Sequence, residues 1–184
     1  MGAILDLIGS YIFKTAMIGI ILAMSMSLNE VMTKKAQTTN LEKSMNVSMS
    51  VLEWDIRNVG YNYVGASPVV ECSGTKLKYY ADIHNDGVVE EVKWSVSSEY
   101  VTIADSTVIR YNVKRDVGGN EYTVFRRLRH CSMEYLDVNG ALTTTPASIR
   151  GFRIRITAES PFIIDGEILT ATRQITLYPA NLLS

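Results

Sequence analysis

Few side chains in this sequence stand at spacings that do chemistry, and each has a plainer use to set against it. Cys72 and Cys131 lie far apart and fit no CxxC, CxxCH or metal spacing. In an extracytoplasmic domain their natural use is one disulfide closing a long loop, adding about 3–4 kcal/mol by chain entropy. Two buried free thiols are the other reading. His84 and His130 stand alone, with no nucleophile or ligand set around them. Asp82-Ile83-His84-Asn85-Asp86-Gly87 begins like a calcium loop, but Lys93 occupies the position of the closing carboxylate and repels a cation. The segment therefore reads as a turn. Arg126, Arg127 and Arg129 form the densest basic run, with no aromatic side chain interleaved to stack a base, and read as the exposed side of a strand. A net charge of −1 also argues against nucleic acid as a partner. No phosphate loop, acid–base carboxylate pair or nucleophile elbow occurs, so the reading is non-enzymatic, with no metal and no cofactor.

Two charges remain, and their surroundings make them notable. Asp6 and Lys14 interrupt a run, from Ile4 to Leu28, that is otherwise apolar almost throughout and long enough to cross a bilayer as a helix. A cleaved signal peptide fits poorly, because the basic n-region and the small-x-small site are missing. At a bilayer centre each charge would cost roughly 2.5–3.5 kcal/mol and needs an interface or a partner. Within one helix they stand eight positions apart, about 12 Å along the axis, too far to pair directly. Pairing between chains, Asp6 with Lys14 or Asp6 with a terminal amine, is the sharper expectation. Two snorkelling residues on a simple anchor are the bland one.

The elements that must position these residues follow from periodicity. Leu41, Met45, Met49, Leu52, Ile56 and Val59 recur every three or four residues, one apolar stripe of an amphipathic helix made to pack on a sheet. No proline precedes Pro68, and Gly60 is a natural C-terminal cap. A nearly continuous helix is expected from about residue 3 to 59, roughly 85 Å at 1.5 Å per residue, with a local break possible in the polar, Thr-rich stretch 29–40. After Pro68 the period becomes two. Strands are expected over 75–82, 88–96, 107–113, 121–128, 132–136, 151–158 and 167–178, with turns at Asn85-Asp86-Gly87, Gly118-Gly119-Asn120 and Asn139-Gly140. The fold class is α+β, a long N-terminal helix on a C-terminal antiparallel β-sheet. The regions are a membrane and assembly helix, 1–28, its amphipathic continuation, 29–60, and a β domain, 61–184.

Several segments, in order, resemble type IV pilins, and among them minor pilins and the J-type pseudopilin of type II secretion. They are Leu52-Glu53-Trp54-Asp55-Ile56-Arg57-Asn58-Val59-Gly60-Tyr61, the Asp-rich hairpin from Ala81 to Val92, and Tyr135-Leu136-Asp137-Val138-Asn139-Gly140. The strand Ile149 to Thr157 and the closing Tyr178-Pro179-Ala180-Asn181-Leu182 complete the set. The N-terminus departs from the family, whose precursors carry a leader ending in Gly before an aromatic residue or Met, with Glu fifth in the mature chain. Here Ala3 follows Gly2, and removal of Met1 alone would make Asp6 the fifth residue. Lys34 and Lys35, after the apolar run, also sit awkwardly with a cytoplasmic N-terminus.

The resemblance implies a structural subunit of an extracytoplasmic filament or secretion apparatus. It would be held as a single-pass protein in a bacterial inner membrane, with the C-terminal domain outside, and would then join other pilin-like subunits in a fibre at the cell surface. A different class of function is a monomeric membrane-anchored protein whose β domain binds an exported partner.

Overall fold

The computed structural model describes the backbone of residues 2–103, 106–164 and 167–182, and the side chains of 8–103, 106–160, 163 and 167–182. Helix α1 runs from Gly2 to Arg57. The helix is continuous across 29–40, and the threonines there show why. Thr33 and Thr38 donate their hydroxyls to the carbonyls of Asn29 and Lys34, at 2.8 and 2.9 Å, so polar groups that compete with a helix are absorbed by it. The end of the helix is set by one residue. Gly60 adopts φ +77, and an added Cβ there would stand 3.0 Å from Pro68 Cγ, so only glycine fits. Its N–H then donates to Tyr80 O at 3.0 Å, handing the chain to the sheet.

The chain forms two compact units, residues 1–40 and residues 41–184. The first is helix alone. In the second, eight antiparallel strands follow the helix: β1 (Val69–Ser73), β2 (Lys76–Ala81), β3 (Glu90–Ile103), β4 (Ser106–Val117), β5 (Asn120–Leu128), β6 (His130–Leu136), β7 (Gly151–Ile164) and β8 (Glu167–Leu177). They divide between a sheet ordered β1-β2-β3-β4-β5 and a second ordered β6-β7-β8. Alternation sets which side faces inward. Leu77, Tyr79 and Ala81 of β2 are buried while Lys76 faces water, and Val92 and Trp94 of β3 continue the same inner face. Met45, Met49, Leu52 and Ile56 of α1, with Val59 just past its end, join this core, and so do Phe152, Ile154 and Ile156 of β7. Leu41 is half-buried.

Besides the shared core, side-chain bonds tie the two sheets at two places among the described residues. Arg110 of β4 pairs with Glu159 of β7, both almost wholly buried. The Tyr135 hydroxyl of β6 is shared between the carbonyls of Ser73 and Lys76, at 2.7 and 2.8 Å. Burial pushes that phenol well above its ordinary value, keeping it a donor.

Candidate functional site

Every described side chain from Ile8 to Thr33 is exposed, although most are apolar. By length and composition this part of α1 is able to cross a membrane. Lys14 projects from it, exposed, while the Asp6 side chain lies outside the described residues. The Asp6–Lys14 pairing therefore stays an expectation. An uncovered apolar surface of this extent marks the segment as a candidate membrane span.

Where the helix meets the sheets, the governing residue is one that periodicity overlooks. Asp55 is fully buried. Its Oδ2 accepts from Trp94 Nε1 at 2.9 Å and from Arg115 Nε at 2.6 Å, and its Oδ1 accepts from Arg115 Nη2 at 2.8 Å. The Tyr79 hydroxyl donates to the Asp55 carbonyl at 3.1 Å. The carboxylate thus meets a two-pronged guanidinium and an indole, which satisfies a charge that burial alone would penalise. That hydrogen bond raises the Arg115 pKa. Burial first, then the neighbouring carboxylate, holds the Tyr79 phenol far above its usual range. The sequence does carry a signal for this. Asp55, three residues past Leu52 and four before Val59, stands on the apolar stripe, where a carboxylate has to find a cation.

The expected Cys72–Cys131 disulfide is not present in this structure, where both thiols are free. Cys72 Sγ donates to Thr144 O at 3.1 Å, and both side chains pack against the core margin. Burial raises the Cys72 thiol and pushes Cys131 up to about 12, so each is held as the unreactive thiol. The stretch that begins like a calcium loop is an eight-residue connection between β2 and β3, longer than the tight hairpin its Asn-Asp-Gly suggests. Asp82 organises it, accepting from Asn62 Nδ2 at 2.8 Å and from the backbone N–H groups of Asp86 and Gly87 at 3.1 and 3.0 Å. The Asn62 bond first, then the backbone donors, lowers the Asp82 pKa. His84 Nδ1 sits 2.8 Å from Glu90, and His130 is exposed at the start of β6. The basic run falls at the corner where β5 leaves one sheet for the other, with Arg127 in a left-handed conformation, φ +56. Comparison with protein-family models, curated proteins and solved structures finds no match.

Proposed function

We propose that this chain is a pilin-like structural subunit of an extracytoplasmic filament or secretion apparatus, assembling with like subunits through the apolar part of α1. One observation carries the reading: apolar side chains from Ile8 onward are uncovered on a helix that continues, without a linker, into the segment that closes a folded core. Such a surface serves equally to hold the chain in a bacterial inner membrane before assembly and to bundle with other helices afterwards. The β domain then lies outside the cytoplasm. The ordered resemblance to minor pilins and J-type pseudopilins supports the same reading, and nothing in it calls for catalysis.

Lys14 and Asp6 supply the test. In a helical bundle away from water, removing one partner of a buried charge pair costs about 3–5 kcal/mol, because the other charge is stranded. Asp6→Asn and Lys14→Met are each expected to abolish fibres, seen by imaging sheared surface filaments, while membrane insertion is unchanged. Partial recovery in the double variant identifies an Asp6–Lys14 pair between chains. A mild Lys14→Met without rescue identifies a terminal amine as the partner of Asp6. Normal fibres from both single variants would sink this charge pairing. Absence of fibres from the unaltered chain would favour the second reading, a monomeric anchor for a β domain that binds an exported partner. That reading draws on the same helix passing for an ordinary single span.

A further inference from the structure

A sheet edge is a row of unpaired N–H and C=O groups, and proteins usually blunt it. Three of the four edges here are blunted. β1 is five residues long with a register shift between Val69 and Glu71. β5 shifts register against β4 twice and passes almost directly into β6. The C-terminal end of β6 is covered on its outer side, since Leu136 bridges Leu142 and the Thr143 N–H donates to Tyr135 O at 2.9 Å. β8 has none of these three protections, and what guards it is a charge, Arg173, on the face that turns toward the core. The strand is eleven residues long, contains neither proline nor lysine, and among the described residues has β7 as its strand neighbour on one side only. The irregularity in that pair falls in β7, between Glu159 and Ile163.

The side chains of β8 say what would pair with it. Ala171, Ile175 and Leu177 lie partly buried against the core. Arg173 shares their face, opposite the buried Ile156, yet it is exposed and has no hydrogen bond or ion pair among the described residues. The other face offers Thr170, Thr172, Gln174 and Thr176. A strand added here gains main-chain bonds along its length. It would also trap the Arg173 guanidinium against an apolar face, which is costly unless a carboxylate meets it. Arg173 therefore acts as a filter, rejecting strands that bring no acid.

We propose that β8 is a docking edge for an extended segment of a partner protein that carries alternating apolar side chains and a carboxylate opposite Arg173. This inference does not rest on filament assembly. It is tested with the full chain in detergent micelles and two blocked nine-residue peptides, Ser-Thr-Val-Thr-Glu-Thr-Val-Thr-Ser and its analogue with central Lys. The Glu peptide is expected to slow amide exchange along β8 and to bind about tenfold or more tighter than the Lys peptide, as a charge-assisted hydrogen bond allows. Arg173→Glu should reverse the preference, and Arg173→Gln should erase it. Equal binding of both peptides, or no binding of either, overturns the proposal. So does concentration-dependent protection of β8 in the chain without peptide, because a second copy then occupies the edge.

Discussion

At Asp55, one carboxylate decides how firmly a helix is held. It is fully buried and spends both oxygens on Arg115 and Trp94. Asp55→Ala should therefore cost about 3–5 kcal/mol in urea unfolding, because it strands the guanidinium as well as losing the bonds. Asp55→Leu with Arg115→Leu should cost far less than the sum of the single changes, since no buried charge is then left alone. Cys131 gives a chemical readout of burial. In the native chain at pH 8 it should alkylate more slowly than Cys72, and both should react promptly in urea, as followed by mass spectrometry. A gel shift under non-reducing conditions would contradict free thiols. Asp82 gives a pH dependence. Its folded pKa lies below the ordinary carboxylate value, near 3.9. Its contribution is thus full above about pH 4 and is lost as pH falls through the folded value. Acid destabilisation, measured by denaturation midpoints from pH 5 downward, should be shallower in Asp82→Asn.

Among elements, α1 is the one whose two faces are easiest to tell apart by substitution. Leu52→Ala, in the core, should cost about 2–5 kcal/mol, whereas Val47→Ala, on the exposed face, should fall within about 0.5 kcal/mol. The helix and its apolar stripe are legible in the sequence because only a helix sustains a period of three and four over so many residues. Asp55 is legible only as a charge standing on that stripe, because a pattern of apolar residues does not say which cation will meet it. Seven strands can be placed from alternation and turn residues. β1 escapes because Val-Val-Glu-Cys-Ser is too short to show a period. β3 and β7 end later than alternation suggests, because they run on past β2 and β6 as two-stranded ribbons with β4 and β8. The division into two sheets has no local signature at all. It is made at one corner, by a left-handed Arg127 whose N–H donates to Asn112 Oδ1 at 2.9 Å. The disulfide is undecided in the sequence for a related reason: two cysteines state an opportunity, not a distance.

For the whole molecule, the exposure of Ile8 to Thr33 means that these side chains add no burial to the folded chain. A chain shortened to begin at Asn29 should stay soluble and monomeric in sedimentation, and should keep the unfolding midpoint of the full-length protein. Detergent-free aggregation of that shortened chain would contradict it. The pairing of Asp55 with Arg115 also sets a schedule. The helix carrying Asp55 leaves the ribosome well before its partner, which lies 60 residues further along the sequence. At about 5–20 residues per second, the acidic side chain and the stripe beside it wait on the order of 3–12 s for the strand that will cover them. Throughout that interval the nascent chain shows two unsatisfied surfaces, and only the more N-terminal one can be relieved by lipid. The other must be shielded in transit, so slowing translation between the codons for Arg57 and Arg115 should lengthen its dependence on a chaperone.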